Sequence, residues 1–226
     1  RYSIDVNNSQ LYVSSVIYPF VFSQLISCGF SIIITRYLAD CLYEGEYDNV
    51  SGSCYGIIFM AQLAGAVAAL LFYWDKPLPL HLKLITYTFF AEMIAMWLQM
   101  VYLTALKDYK SIFVSYFAGA AISIVLTWLN LQYGFMAPVE GTMLSMCIGV
   151  GILDLCFMVQ IVRYFGYPSH AMNFEFLPYF EQHYKLFLLI IFYTLSIYVA
   201  NFIVWNSSWG VMVAGTYLYS PRYDVI

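Results

Sequence analysis

Apolar residues in this chain are gathered into long runs that are separated by short polar connections. Six of these runs reach the ~20 residues that an α-helix needs to cross the roughly 30 Å hydrocarbon core of a bilayer. The runs are Leu11–Thr35, Val50–Trp74, Leu84–Leu106, Ser111–Tyr133, Gly141–Val162 and Leu186–Trp205. Because backbone groups in lipid must be hydrogen-bonded inside helices, this pattern predicts an all-α, polytopic membrane bundle.

The residues after the sixth run stay uncharged but are interrupted by two glycines, Gly210 and Gly215. We interpret 206–220 as an outer loop that enters a seventh, truncated span. The chain opens at Arg1 and stops at Ile226 without a polar tail. We therefore expect residues 1–226 to form a single transmembrane bundle that is a fragment of a longer protein.

Basic residues are unevenly divided between the two sets of connections. Those after the first, third and fifth runs carry five, against two on the opposite side when Arg1 and Arg222 near the chain ends are left out. The five are Arg36, Lys107, Lys110, Arg163 and Lys185, and the two are Lys76 and Lys83. By the positive-inside rule we expect connections 36–49, 107–110 and 163–185 to be cytoplasmic.

Composition excludes several classes of function. A chain that is 62% hydrophobic and 10% charged is not an ordinary water-soluble domain, and a net charge of −4 without a basic cluster argues against nucleic acid as a partner. The five cysteines have no metal-ligand spacing, and no catalytic triad or phosphate-binding loop is visible. We therefore expect no metal, no cofactor and no enzyme activity.

Polar side chains within the apolar runs are the candidates for function, because ionisable groups are costly in lipid. Glu92 lies about eight residues, or ~12 Å, inside its predicted helix. Gln99 falls on the same helical face, and Gln24 and Gln62 lie near the middle of their own runs. With Asp154 of the fifth run, these side chains predict a hydrated transport path or an interhelical hydrogen-bond network.

Both carboxyls also have a structural interpretation, which the sequence leaves open. A protonated Glu92 bonded to a neighbouring amide would serve packing alone. Asp154 lies two turns before Arg163 and could form a salt bridge near the cytoplasmic surface, or contact a substrate or a proton if it faces a cavity. Tyrosines inside the runs, such as Tyr87 and Tyr193, could stack on sugar rings, so a carbohydrate path is compatible with the pattern.

Small residues recur at spacings of four in three runs. The sets are Ala61, Gly65 and Ala69; Ser115, Gly119 and Ser123; and Gly141, Ser145 and Gly149. Such residues let helix backbones approach closely in lipid, so the spacing predicts packing seams. The alternative is a sliding surface between moving helices.

The connection after the first run carries a specific motif. It reads Thr35-Arg36-Tyr37-Leu38-Ala39-Asp40-Cys41-Leu42-Tyr43-Glu44 and resembles the T-R-[FY]-x-A-D-x-L-[FY]-E motif of the PelG family, polytopic components of the bacterial Pel exopolysaccharide machinery. The segments 106–110 and 223–225 resemble further, weaker family motifs. The resemblance extends over essentially the whole chain, as roughly the N-terminal half of a family member.

This resemblance implies a fold similar to the multidrug, oligosaccharidyl-lipid and polysaccharide exporter superfamily, of which the chain would form one lobe. It implies transport of an exopolysaccharide for the biofilm matrix across the bacterial inner membrane. It also implies partners: membrane lipid, the polysaccharide, the cytoplasmic Pel glycosyltransferase, and Pel inner-membrane proteins that respond to cyclic-di-GMP. A flippase for lipid-linked oligosaccharides, a drug exporter and a non-transporting scaffold for a glycosyltransferase are the alternatives.

The cytoplasmic connections are candidates for docking or gating. Arg36, Asp40 and Glu44 recur at i, i+4 and i+8 and share one face if the helix continues beyond the membrane. Lys107 and Lys110 flank the next cytoplasmic turn. The simpler interpretation is membrane anchoring by positive charge, with a surface ion pair between Arg36 and Asp40 worth about 0.3–0.5 kcal/mol.

Overall fold

The computed structural model describes residues 6–47, 49–107, 109–168 and 172–224, and most of them are helical. The described chain contains six helices that are long and apolar enough to cross a membrane, which confirms the predicted all-α polytopic bundle. In chain order the helices are α1 Val6–Glu44, α2 Val50–Tyr73, α3 Leu80–Leu106, α4 Tyr109–Tyr133, α5 Pro138–Phe165, the short α6 Pro178–Gln182, and α7 Tyr184–Trp205.

The first helix is much longer than a bilayer requires. α1 has 39 residues, which corresponds to about 58 Å of helix against the roughly 30 Å of hydrocarbon. It continues without interruption from the apolar run through Arg36 to Glu44. The three charged positions of the motif, Arg36, Asp40 and Glu44, therefore lie on one helical face, as the spacing predicts.

The core of the bundle is built around α1 and α3. α1 packs along α3, α7 and α2, and α3 also packs along α5 and α2. The helices α2, α4 and α7 expose most of their apolar side chains, as expected of surfaces that face lipid tails. Large side chains such as Ile94, Leu98 and Phe157 are fully buried between the helices.

At the predicted packing seams, neighbouring helices lie close together. A Cβ atom at Gly119 of α4 would lie 2.6 Å from the carbonyl oxygen of Gly149 on α5, and a Cβ at Gly149 would lie 2.6 Å from the carbonyl of Gly119. Gly65 of α2 instead faces side chains of α3, where its Cβ would lie 2.6 Å from Cδ1 of Ile94 and 3.2 Å from Cε1 of Phe90. These positions need glycine because the neighbouring helix occupies the space of a side chain.

One end of the bundle, which we name the motif end, carries residues 36–47 and 49–52 and the described residues between α5 and α7, 166–168 and 172–183. The amide of Asn173 donates to the carbonyl of Gly52 at 3.0 Å, and the Ser51 hydroxyl donates to the carbonyl of Gly166 at 2.8 Å. Phe176 is fully buried between these segments. The long connection is therefore packed onto the ends of α1 and α2 and forms part of the bundle.

The opposite end, which we name the hairpin end, differs from the prediction. After Trp205 the chain forms strands β1 Val211–Val213 and β2 Tyr217–Tyr219, paired antiparallel. Three residues, 214–216, connect the strands: Ala214 and Gly215 both have positive φ, and the amide of Thr216 donates to the carbonyl of Val213 at 3.0 Å. Stretch 206–220 is thus a β-hairpin, and no helix follows α7 within the described residues, so the expected start of a seventh span is wrong for this segment.

The hairpin is fixed to α1 and α7 by polar contacts. The Tyr18 hydroxyl accepts from the amide of Leu218 at 2.8 Å and donates to the carbonyl of Leu218 at 3.1 Å. The Asp224 carboxylate accepts from the indole of Trp205 at 2.9 Å and from the amide of Ser220 at 2.7 Å. The Tyr18 ring also stacks on Trp205, so the hairpin closes this end with an aromatic cluster.

Candidate functional site

A stripe of hydroxyl groups runs along the membrane-spanning part of α1. Ser23, Ser27, Ser31 and Thr35 follow one another at intervals of four, which places them on one face of the helix. Ser31 donates to the carbonyl of Ser27 at 2.8 Å and Thr35 donates to that of Ser31 at 2.7 Å. Such bonds to the preceding turn make hydroxyls tolerable in lipid while the oxygen keeps its capacity to accept.

This stripe forms one wall of a groove between α1 and α7. The groove has a volume of about 310 Å³. Its polar lining includes Gln24, Ser27, Ser31, Thr35 and Thr194. We call it the α1–α7 groove. It lies alongside membrane-spanning helices and combines an amide with several hydroxyls, which is an arrangement that can hydrogen-bond a polyhydroxylated ligand.

Aromatic side chains complete the same groove. Trp97 of α3 and Tyr193 of α7 line it, and the Trp97 indole donates to the Ser23 hydroxyl at 3.2 Å. At one margin the Tyr198 hydroxyl of α7 donates to the amide oxygen of Gln24. The groove therefore brings together aromatic rings and hydrogen-bonding groups, the two components with which proteins contact sugar rings.

Of the five side chains predicted to line a path, only Gln24 lies in this groove. The Gln62 amide donates to the backbone carbonyl of Ala91 at 2.6 Å and so bonds α2 to α3. Gln99 is buried in the centre of the bundle with 4% of its surface exposed. Its amide oxygen has no hydrogen-bond partner within the described residues.

The two intramembrane carboxyls meet at the seam between α3 and α5. A Cβ atom at Gly151 of α5 would lie 3.2 Å from Oε1 of Glu92, and Asp154, one turn further along α5, is within electrostatic range of Glu92. Oε2 of Glu92 and Oδ1 of Asp154 are buried and accept no hydrogen bond from the described part of the chain. Asp154 forms no ion pair with a described basic residue, including Arg163.

A further intramembrane amide links α4 to α5. The Gln160 side chain donates to the Ser115 hydroxyl at 2.7 Å and to the carbonyl of Ser111 at 3.4 Å. Sequence reasoning missed Gln160, although this residue lies within the fifth apolar run. The glutamines that were singled out lie within other apolar runs. It also missed the serine stripe of α1. These side chains carry neither a charge nor an amide, and the single sequence signal of their hydroxyls is a spacing of four residues.

Charged residues of the motif are organised differently from the expected ion pair. Within the described residues no ion pair joins Arg36 to Asp40. The Asp40 carboxylate instead accepts a hydrogen bond of 2.7 Å from the hydroxyl of Tyr179 on α6. This bond, together with partial burial, raises the pKa of Tyr179 to about 12.

A second polar contact at the motif end reinforces the first. The Glu175 carboxylate accepts from the side-chain amide of Asn49 at 3.0 Å and from the hydroxyl of Tyr37 at 3.4 Å. Both contacts tie the connection that leads into α7 to the ends of α1 and α2. Sequence reasoning assigned no role to Tyr179 or Glu175.

The remaining motif-end residues are exposed. Arg36 and Glu44 project from α1 and Tyr43 has 93% of its surface exposed. Lys107 is the C-cap of α3 and has a left-handed backbone conformation. Lys110 lies in the first turn of α4, and both lysines are exposed. These side chains form a polar surface at the end of the bundle.

Comparison with known proteins identifies the family of the chain. The family described as "PelG: Putative exopolysaccharide Exporter (EPS-E)" matches residues 1–226, the whole of the sequence. No curated protein matches the chain, and no solved structure matches it. The family is one of exporters and not of enzymes, and the six spanning helices make the chain a multi-pass membrane protein. The chain therefore belongs to the PelG family of exopolysaccharide exporters.

Proposed function

We propose that this protein moves a Pel-like exopolysaccharide, destined for a biofilm matrix, across the bacterial inner membrane, and that the α1–α7 groove is part of the surface along which the sugar chain passes. The observation that carries the proposal is the groove itself, a row of hydroxyls and an amide beside two aromatic side chains at membrane depth. Membership of an exopolysaccharide exporter family supplies the substrate class.

The chemistry of the groove suits a sugar polymer better than an apolar drug. A polysaccharide entering a membrane exchanges its bonds with water for bonds with protein, and each polar group left unpaired in a low-dielectric environment is costly. Ser31 and Thr35 provide acceptor oxygens in a row, and Ser27 and the Gln24 amide add hydrogen-bonding groups beside them, so a chain could exchange partners stepwise. Trp97 offers an apolar ring face for the C–H face of a sugar.

Glu92 and Asp154 belong to a separate seam, and we propose that they serve the export step from there. Carboxyls at this depth are expensive, and Oε2 of Glu92 and Oδ1 of Asp154 are buried with no hydrogen-bond partner among the described residues, which is costly to maintain for packing alone. Gln62 is better explained as a packing contact, because its amide is committed to the backbone of Ala91. Gln99 remains a candidate for the path because its amide oxygen has no hydrogen-bond partner among the described residues.

The motif end supports a second role, that of docking the cytoplasmic glycosyltransferase and other Pel inner-membrane proteins. α1 projects past the bilayer thickness, and Arg36, Tyr43 and Glu44 are exposed on it. A surface with charged and aromatic groups on a rigid helix is well suited to binding a partner. This role fits both an exporter and a scaffold that does not transport, so substrate movement is the measurement that separates them.

The groove is tested by replacing one of its hydroxyls with an apolar side chain. Ser31→Leu should lower the amount of secreted polymer severalfold, whereas Ser31→Thr, which keeps the hydroxyl, should retain it. Ser196→Leu on α7 is the matched control, because Ser196 is exposed and lies outside the groove lining. Inserted protein is measured in parallel by immunoblot of membranes. Equal secretion by Ser31→Leu and Ser196→Leu at equal protein levels would refute the groove as a path.

A further inference from the structure

A second groove lies between α2 and α3, near the hairpin end, and faces away from the core of the bundle. Its volume is about 380 Å³. The apolar part is formed by Ala66, Ala69 and Leu70 of α2 and by Leu84 and Tyr87 of α3. Trp74, Leu80 and Lys83 line its end nearest the helix termini. We call it the α2–α3 groove.

The end of this groove has the features of a membrane interface. Trp74 is 74% exposed, and tryptophan in membrane proteins concentrates at the level of the lipid headgroups. α3 begins at Leu80 and has no side-chain cap, so amide groups of its first turn are directed towards this level. The apolar part of the groove continues from there towards the middle of the bilayer.

Lys83 supplies a positive charge at the same end. Its Nζ donates to the carbonyl of Tyr73 at 3.0 Å, which fixes the ammonium between α2 and α3. An ammonium carries three N–H groups, and this bond uses one of them. Within the described residues Lys83 forms no ion pair, although Asp75 is near in sequence. Lys76 is turned towards the ring of Phe72, 5.8 Å from its centroid.

We propose that the α2–α3 groove binds an anionic phospholipid, with an acyl chain along its apolar lining and the phosphate at the Lys83 ammonium and the start of α3. Charge complementarity selects this occupant. A zwitterionic or uncharged lipid would gain the same apolar contact, but a net negative headgroup gains most from the lysine and the positive end of the helix dipole. A partner helix packed into the groove would bury the ammonium without a counter-charge.

The experiment measures lipid binding to the intact protein in mild detergent by native mass spectrometry. Phosphatidylglycerol and phosphatidylcholine with identical oleoyl chains are titrated separately. Wild type should bind phosphatidylglycerol about fivefold more tightly, the order of preference expected from one lysine near a phosphate. Lys83→Gln should remove this preference, and Lys83→Arg should keep it. Lys110→Gln, an exposed lysine at the motif end, should behave as wild type.

The acyl-chain part of the site is tested by filling it. Ala66→Phe should lower the binding of both lipids, whereas Ala64→Phe, an exposed position of α2 outside the groove lining, should not. Equal affinity for the two lipids in wild type, or a preference that survives Lys83→Gln, would overturn the proposal. Binding that is unaffected by Ala66→Phe would show that another segment or general annular lipid accounts for the signal, and it would overturn the proposal equally.

Discussion

Replacement of Gly149 by alanine should open the α4–α5 seam. The added Cβ would lie 2.6 Å from the carbonyl oxygen of Gly119 and 2.8 Å from the Cβ of Ser123. The carbonyl belongs to the backbone of α4 and cannot rotate away, so the two helices must separate. An ordinary contact between such atoms is about 3.5 Å long, so the two helices must move apart by roughly 1 Å.

The magnitude follows from two opposing effects. Overpacking of this kind costs typically about 1–3 kcal/mol, and it is felt directly because α4 packs mainly against α5. A glycine-to-alanine change inside a helix returns up to ~1 kcal/mol of helix propensity. We therefore expect Gly149→Ala to lower the free energy of unfolding by about 1–2 kcal/mol, a factor of roughly ten in the equilibrium constant.

Gly151→Ala on the same helix is the matched control. Its Cβ would meet Oε1 of Glu92 at 3.2 Å, and that atom is the end of a flexible side chain that can rotate. The control should therefore be neutral or slightly stabilising. Both variants are unfolded reversibly by increasing the mole fraction of sodium dodecyl sulfate in mixed micelles, with helicity followed by circular dichroism. Equal free energies of unfolding for Gly149→Ala and Gly151→Ala would refute the steric argument.

A double substitution tests the same contact from both sides. Gly119→Ala alone should cost about as much as Gly149→Ala, because each Cβ meets the other residue's carbonyl at the same distance. Once one alanine has separated the helices, the Cβ of the second alanine overlaps less with the facing carbonyl. The double variant should thus lose clearly less stability than the two single losses added together. Strict additivity would mean that the two glycines do not share one contact.

Two further predictions concern transport and assembly. Glu92→Gln should lower polymer export while the amount of inserted protein stays nearly unchanged; loss of the protein would instead favour a packing role. Reversal of the motif charges, Arg36→Asp with Asp40→Arg, should preserve the fold and reduce co-purification with the cytoplasmic synthase. Tyr179→Phe is its control, because it removes the same hydrogen bond to Asp40 without changing charge. If the charge-reversed variant co-purifies with the synthase as well as wild type does, the motif serves only to anchor the protein in the membrane.

The fold could be predicted from sequence largely because lipid allows few alternatives. A run such as Val50–Trp74 has to be helical to satisfy its backbone, and α2 ends one residue earlier, at Tyr73. The segment after Trp205 was predicted wrongly for the same reason: an uncharged stretch was read as entering the membrane. Its actual form depends on the hydrogen bonds of Tyr18 and Asp224, which lie about two hundred residues apart in sequence and leave no local pattern.

The candidate site was harder to predict than the fold. The sequence indicates the depth of Glu92 and Gln24 but not the rotation of their helices about one another, so it could not separate the α3–α5 seam from the α1–α7 groove. The meeting of Glu92 with Gly151 is a consequence of tertiary packing alone. The hydrogen-bond partner of Asp40 could not be predicted either, because Tyr179 is distant in sequence. Arg36, four residues before Asp40, was the more obvious partner.

α1 links the motif to the groove mechanically. Ser31 lies in the groove and Asp40 lies at the motif end of the same uninterrupted helix, so the two positions move together. The opposite part of the helix is held by Tyr18 at the hairpin, and Pro19, which removes a helical hydrogen bond, separates it from the groove. Asp40 in turn bonds Tyr179 of α6, from which α7 starts after a single residue. The walls of the groove are therefore bonded to each other at the motif, and we expect a displacement of the end of α1 from α6 to change the width of the groove between them.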